Sequence, residues 1–337
     1  MRAHKRRPAI ERVLITGKIP EVGLRLLQAH FAVRQYEGPL PMPRPQLLEE
    51  VAQCEALVSL VADRIDREVI QAGRSLKLIS NHAVGVDNID VAFATRQGIV
   101  VTNTPAVLSE ATADLTWALI LAVSRRVVEG DRLVRQGRFT AWDPLLLRGQ
   151  DLVGKTLGLV GAGRIGSAVA RRAAGWQMPI LYYSRTAKPE LEKHHSARKV
   201  DLPTLFEQAD VISLHLPLTD QTHHLITASL LKRMKPSAVF VNTARGAIVR
   251  EADLVRALEE GWIAGAGLDV FEHEPDIHPR LLELSNVVLT PHIGSATYTT
   301  RDAMAEMAAK NIILFSQGQK PLSVVNPEAL AGFECES

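Results

Sequence analysis

The sequence predicts an α/β protein built as two Rossmann-like or flavodoxin-like lobes, each around a parallel sheet, with an active-site cleft between them. Three observations predict it. Short apolar runs alternate with helical patterns almost throughout, the signature of parallel strands joined by crossover helices. The runs fall into two series of similar size. A glycine-rich segment, Gly161-Ala162-Gly163-Arg164-Ile165-Gly166, stands at a strand–helix junction near the start of the second series. A chain of 337 residues, 46% hydrophobic and 23% charged, is long and apolar enough for two packed domains.

In the first series the candidate strands are residues 12–16, 32–35, 56–60, 76–80 and 100–103. A long helical pattern follows over 109–136, opening on Ser109-Glu110-Ala111-Thr112-Ala113-Asp114, which suits a helix N-terminus. Residues 142–150 read as a loop. The second series has candidate strands at 156–161, 180–183, 211–215, 238–243, 264–269 and 287–290, with helices between them such as 165–175 and 251–261. A last helical run, 300–317, is expected to pack on the first lobe if the chain crosses back after Pro291.

The bulk properties exclude several classes. A formal net charge of +2 gives no argument for a nucleic-acid or membrane-surface partner. The basic start, Met1 to Arg7, lacks the apolar stretch of a secretory signal and is expected to be a short disordered arm. No apolar run approaches the length of a membrane span. Cys54 in a helical pattern and Cys335 in the tail make neither a disulfide framework nor a thiolate metal site, so a reducing, cytoplasmic setting fits. His194-His195 and His223-His224 lack metal-site spacing and read as solvated, as does the charged stretch from Asp63 to Glu68.

The strand at 156–161 runs into the glycine segment, and a helix follows. Gly161 permits a tight turn, Gly163 lets the backbone approach a pyrophosphate, and Gly166 allows close packing of helix on strand. The free N–H groups at the helix start would face the phosphates. The next strand ends in Ser184-Arg185-Thr186. In an NAD site an acidic residue about 20 positions on holds the ribose 2′-hydroxyl. Here Ser184 stands near that spacing. Ser184 and Thr186 can donate to a 2′-phosphate, and Arg185 can pair with it or stack.

Arg245, Glu274 and His292 each follow a candidate strand, in the segments Asn242-Thr243-Ala244-Arg245-Gly246, Phe271-Glu272-His273-Glu274-Pro275 and Thr290-Pro291-His292-Ile293-Gly294. Each alone also fits a solvated loop. Together, at one edge of one sheet beside a nucleotide loop, they form a set. Reduction of a 2-keto acid needs a proton for the carbonyl oxygen as hydride reaches the carbon. Histidine can supply it near neutral pH. A carboxylate beside the imidazole favours its charged form. Arginine offers a planar cationic fork for the substrate carboxylate and carbonyl. No metal is required.

On these segments, and on Asn81-His82-Ala83-Val84-Gly85-Val86-Asp87-Asn88-Ile89-Asp90, Thr102-Asn103-Thr104-Pro105 and Ala111-Thr112-Ala113-Asp114-Leu115, the chain resembles the D-isomer-specific 2-hydroxyacid dehydrogenases from about Ile15 to Pro327. Within that family it is most similar to the glyoxylate and hydroxypyruvate reductases. The resemblance implies that Arg245 orients the substrate, that Glu274 pairs with His292, and that His292 donates the proton. It implies that the N–H groups of Val84 and Gly85 hold the substrate carboxylate, with Leu60 and Val61 bordering the substrate. Thr112, Gly161, Ala162, Gly163, Arg164, Ile165, Gly166, Ser184, Arg185, Thr186, Leu216, Pro217, Thr243, Ala244, Asp269 and Gly294 would line the cofactor. The substrate domain would be residues 1–105 plus 293–337, and the dinucleotide domain 106–292. The family is typically a homodimer through the nucleotide domain and the arm over 109–150, and in the nearest relatives the residue matching Trp142 reaches the neighbour's active site.

One departure is informative. Most NAD-using members carry Asp where this chain has Ser184, so NADP(H) is the expected cofactor, with NAD(H) as a second option. Phosphite dehydrogenases resemble the chain less, because they carry Lys where Val84 stands. Formate dehydrogenases pair the active-site His with Gln, against Glu274 here. A non-catalytic NAD(H)-sensing corepressor on the same fold can retain the catalytic residues, and the sequence leaves that reading open.

Overall fold

The computed structural model describes residues 9–333, so the basic arm and Cys335 lie outside the described residues. The chain divides into two compact units, residues 1–108 with 296–337, and residues 109–295.

The first unit holds a five-stranded sheet of β1 (Arg12–Ile15), β2 (Ala32–Gln35), β3 (Ala56–Ser59), β4 (Leu78–Asn81) and β5 (Val100–Thr102). Its order is β2-β1-β3-β4-β5 and every pairing is parallel, the flavodoxin-like arrangement. β3 and β4 are buried along their whole length, as strands covered on both faces must be. The helix Tyr298–Ser316 belongs to this unit and packs on the helix Glu21–Gln28. Gly23 makes this possible, since a Cβ there would meet the Ala305 carbonyl oxygen at 2.7 Å.

The second unit holds seven strands: β6 (Leu157–Val160), β7 (Ile180–Tyr183), β8 (Arg198–Lys199), β9 (Val211–Leu214), β10 (Val239–Asn242), β11 (Gly265–Leu268) and β12 (Val287–Leu289). The order β12-β11-β10-β9-β6-β7-β8 is parallel throughout. It is the doubly wound order with one strand added, and the chain reverses direction across the sheet between β6 and β9. Ligands of such sheets bind beyond the strand C-termini at that reversal. The glycine segment lies there.

Several sequence expectations need correction. The helix expected over 109–136 is two helices, Ser109–Ser124 and Val127–Arg135. The Ser124 carbonyl accepts from the Gln150 N–H at 2.8 Å instead of continuing the helical ladder. Arg126 turns left-handed at φ 54° and its guanidinium forks onto Glu129 at 2.9 and 2.7 Å. The strand expected at 76–80 starts at Leu78, because the Leu76 N–H closes a turn onto the Gly73 carbonyl. β8 is too short and too charged to have signalled itself. Cys54 follows the helix Arg44–Val51 rather than lying in it, and burial pushes its thiol up to about 12. Asp63 is not solvated. It is 3% exposed, accepting from Thr16 Oγ1 and from the Leu60 N–H. Asp66 caps the helix Arg67–Ala72 and pairs with Arg44.

Among the described residues no helix is long and apolar enough to cross a membrane.

Candidate active site

In the second unit the glycine segment wraps from β6 into the helix Arg164–Ala173. Gly161 has φ 105°, and a Cβ there would lie 2.6 Å from the His215 carbonyl oxygen. A Cβ on Gly166 would lie 2.2 Å from the Gly161 oxygen. Around Gly163 nothing lies within 4 Å of such a Cβ. This is the space a diphosphate needs to approach the backbone. No side chain caps the helix N-terminus, so its amides and dipole are left to an anion. The residues present therefore fit a dinucleotide.

Ser184, Arg185 and Thr186 follow β7, with Arg185 and Thr186 exposed. The Ser184 hydroxyl donates to the Thr186 carbonyl, which shapes the turn and occupies the proton that a 2′-phosphate would have used. Lys199, on the short strand β8 that no sequence pattern marks, joins these residues. Its ammonium donates to the Arg185 carbonyl at 3.3 Å and brings a second cation to this turn.

Thr112, Thr243, Asp269 and Gly294 come together inside the same unit. The Thr116 hydroxyl lies 2.9 Å from that of Thr243 and donates to the Thr112 carbonyl at 2.8 Å. A Cβ on Gly294 would touch both Asp269 and Thr112. Leu216 and Pro217 follow β9, on the strand next to β6.

Arg245, Glu274 and His292 follow the adjacent strands β10, β11 and β12. His292 Nδ1 lies 2.8 Å from Glu274 Oε2, with both side chains about a third exposed. The other Glu274 oxygen accepts from the Phe271 N–H at 3.0 Å, which fixes the carboxylate plane. Burial pushes the Glu274 carboxyl up, but the His292 hydrogen bond and charge, the Phe271 amide and the Arg245 charge outweigh it and hold it below the usual range. Glu274 is therefore ionised at neutral pH. With Nδ1 on Glu274, Nε2 is the nitrogen left to exchange a proton.

His292 has φ 54°, a conformation that typically costs about 1–3 kcal/mol for a residue other than glycine. Asp269 holds it there. Its carboxylate accepts from Thr290 Oγ1 at 2.7 Å and from the Ile293 and Gly294 N–H groups at 2.8 Å each, and its carbonyl accepts from the His292 N–H at 2.9 Å. Burial pushes the Asp269 carboxyl up against these hydrogen bonds. Nothing in the sequence pattern marks this loop clamp.

The Arg245 and Glu274 loops are also locked together. A Cβ on Gly246 would fall 1.8 Å from the Phe271 carbonyl carbon. His224, read from sequence as solvated, is instead paired with Glu272 at 2.5 Å. Glu272 in turn accepts from the Glu251 N–H at 2.7 Å. His224 thus braces the segment that leads into Glu274.

In the first unit Leu60 and Val61 follow β3, and Val84 and Gly85 follow β4. His82, in the same loop as Val84, is pushed down to about 4 by burial and by the Arg301 charge, so its ring is uncharged near neutral pH. Trp142 is 82% exposed. No cluster of three or more His, Cys, Asp or Glu able to hold a metal is found among the described residues.

This arrangement defines a class: a dinucleotide-binding loop and a carboxylate-paired imidazole at one edge of a doubly wound sheet. Residues 117–294 match the model of the D-isomer specific 2-hydroxyacid dehydrogenase NAD binding domain. The chain is 51% identical over 323 residues to a glyoxylate reductase of Thermococcus litoralis, covering 95% of this chain and 98% of that protein. Among solved structures, a glyoxylate reductase from Paecilomyes thermophila is 35% identical with TM-score 0.85, covering 94% of this chain and 98% of that one. An NADPH-dependent glyoxylate/hydroxypyruvate reductase from Sinorhizobium meliloti, in complex with NADP and malonate, is 34% identical with TM-score 0.82 over 97% and 99% of the two chains. The chain belongs to the D-isomer-specific 2-hydroxyacid dehydrogenase family. It is an NAD(P)-dependent oxidoreductase, and the non-catalytic corepressor reading falls away.

Proposed function

We propose that this enzyme reduces small 2-keto acids, glyoxylate to glycolate and hydroxypyruvate to D-glycerate, with NADPH as the preferred donor and His292 as the acid. The observation that carries the proposal is the 2.8 Å pairing of His292 Nδ1 with an ionised Glu274, on loops that also present Arg245. A nicotinamide nucleotide held on the glycine segment at 161–166 would supply the hydride for the keto carbon. His292 Nε2 gives its proton to the carbonyl oxygen, Glu274 stabilises the imidazolium, and Arg245 holds the carboxylate and carbonyl in one plane. Val84 and Gly85 receive the carboxylate through their N–H groups, and Leu60 and Val61 border the substrate. In domain terms, the unit of residues 1–108 with 296–337 binds substrate and the unit of residues 109–295 binds the dinucleotide, boundaries about three residues from those expected. The test is kcat/KM for glyoxylate, hydroxypyruvate, pyruvate and phenylpyruvate with each nicotinamide cofactor. The two small acids lead the panel if the proposal holds, and preference for phenylpyruvate overturns it.

The NADPH preference rests on Arg185 and Lys199 at the end of β7, with no carboxylate at Ser184. A charge-assisted hydrogen bond contributes about 1.5–3 kcal/mol, so NADPH should lead NADH by roughly 10–100-fold, 1.4 kcal/mol being about tenfold. The double change Ser184→Asp with Arg185→Ile should reverse the order. Wild-type enzyme that uses NADH equally well contradicts this reading.

Glu274→Gln removes the negative charge that stabilises the imidazolium and one anchor of the His292 ring, so kcat for reduction should fall by at least about tenfold with NADPH binding unchanged. An unchanged kcat removes Glu274 from this role.

A homodimer is supported by the arm. The helix Val127–Arg135 buries none of its residues, and Phe139, Trp142 and Leu145 stand 56%, 82% and 67% exposed. Apolar side chains so placed suit a second copy of the chain. Sedimentation should show a dimer that Trp142→Glu weakens.

A further inference from the structure

The loop after β4 is held by three consecutive carbonyls. The Ala83 carbonyl accepts from the Thr104 N–H at 2.9 Å. The Val84 carbonyl accepts from Asn103 Nδ2 at 2.8 Å. The Gly85 carbonyl accepts from Asn81 Nδ2 at 2.8 Å. In a trans peptide the carbonyl and the following N–H point in opposite directions. Fixing the Ala83 carbonyl therefore aims the Val84 N–H, and fixing the Val84 carbonyl aims the Gly85 N–H. Among the described residues no hydrogen bond uses either of these two N–H groups. Successive amides aimed outward in this way make an anion site.

Each carboxamide is anchored from behind. Asn103 Oδ1 accepts from Ser323 Oγ at 2.5 Å. Asn81 is fully buried, and its Oδ1 accepts from Ser59 Oγ at 2.9 Å. Asn81 Nδ2 also reaches Asn88 Oδ1 at 3.1 Å. Asn88 Nδ2 in turn donates to the Leu60 and Asp63 carbonyls at 3.1 Å each, which ties the Leu60–Val61 loop to the same frame.

We infer that Asn103 is a positioning residue: by gripping the Val84 carbonyl it aims the Gly85 N–H at the carboxylate of the keto acid. The inference rests on the assignment of that carboxylate to the Val84 and Gly85 amides. Asn103 touches neither substrate nor cofactor in this role, so its loss weakens carboxylate binding and leaves the chemical step and NADPH binding alone.

The test is steady-state kinetics on Asn103→Ala and Ser323→Ala, with oxalate as a non-reacting dicarboxylate probe and a thermal melt for each variant. Asn103→Ala should raise KM for glyoxylate and Ki for oxalate together by about tenfold, the scale of one lost orienting hydrogen bond. The kcat should stay within about twofold and the NADPH Kd should not move. Ser323→Ala removes only the anchor of Asn103 and should shift KM in the same direction by less, which keeps the inference testable if Asn103→Ala fails to fold. Unchanged KM and Ki in both variants overturn it, as does a fall in kcat with KM constant. Val84→Asp distinguishes the role of Asn103 from the placement of the carboxylate. A carboxylate placed on this half-buried side chain should repel the substrate and raise KM steeply. If it does so while Asn103→Ala leaves KM alone, only the role of Asn103 fails. If Val84→Asp leaves KM alone, the assignment of the carboxylate to this loop fails.

Discussion

His292→Ala is expected to lower kcat for keto-acid reduction by roughly 10²–10⁴-fold, the usual worth of a positioned general acid. NADPH binding should be nearly unchanged, because the glycine segment that would hold the diphosphate follows β6, away from β12. The structure sharpens the expectation. His292 is set in a left-handed conformation by four hydrogen bonds to Asp269 and aimed by Glu274. Alanine leaves the Asp269 clamp intact, since all four bonds come from backbone groups or from Thr290. The loop should keep its shape, and the loss should be chemical rather than structural. Single-turnover reduction, NADPH titration and a melting curve read the three separately. A variant that keeps more than about half of wild-type kcat removes His292 from the role of acid.

Much of the fold was legible because parallel strands buried on both faces give continuous apolar runs, as at 56–59 and 211–214. Strand ends were read about one residue long at Thr16, His215, Asp269 and Thr290. Each of these still donates one backbone bond to the neighbouring strand, so the apolar pattern and the ladder end at different places. The break at Arg125 and Arg126 was hidden because its cause, the 149–150 segment packing on Ser124, is distant in sequence. Candidate catalytic residues stood out only as a set: Arg245, Glu274 and His292 each alone fit a solvated loop, but all three follow strands of the sheet that carries the nucleotide loop. Supporting groups did not. Asp269, Asn103 and Glu272 act on backbone carbonyls and amides, and nothing in their spacing marks a polar residue that binds main chain rather than ligand.

Arg245→Lys keeps the positive charge and is nevertheless expected to cost on the order of a hundredfold in kcat/KM. The guanidinium is held before substrate arrives: Nη1 donates to the Ala244 carbonyl at 2.8 Å. The Arg245 main chain is fixed as well, since its carbonyl accepts from Asn242 Nδ2 at 2.9 Å, and Gly246 is pressed against Phe271. A planar fork on a fixed base can meet a carboxylate oxygen and a carbonyl oxygen in one plane. An ammonium on a flexible stem is a single point charge, and it would satisfy one of them while losing the orientation of the other. One charge-assisted hydrogen bond contributes about 1.5–3 kcal/mol, and 1.4 kcal/mol is about tenfold, which gives the expected size. KM for the keto acid should rise because ground-state binding is weakened, and kcat should fall because the carbonyl is no longer held in line with the hydride donor. A second effect discriminates this role from simple charge balance. The Arg245 charge helps hold the Glu274 carboxyl low, and lysine retains that charge, so Glu274 should stay ionised and the acid limb of the pH profile should stay in place. A lysine variant with wild-type KM and kcat would remove Arg245 from the site. One with normal KM and a displaced pH profile would recast it as an electrostatic partner of Glu274.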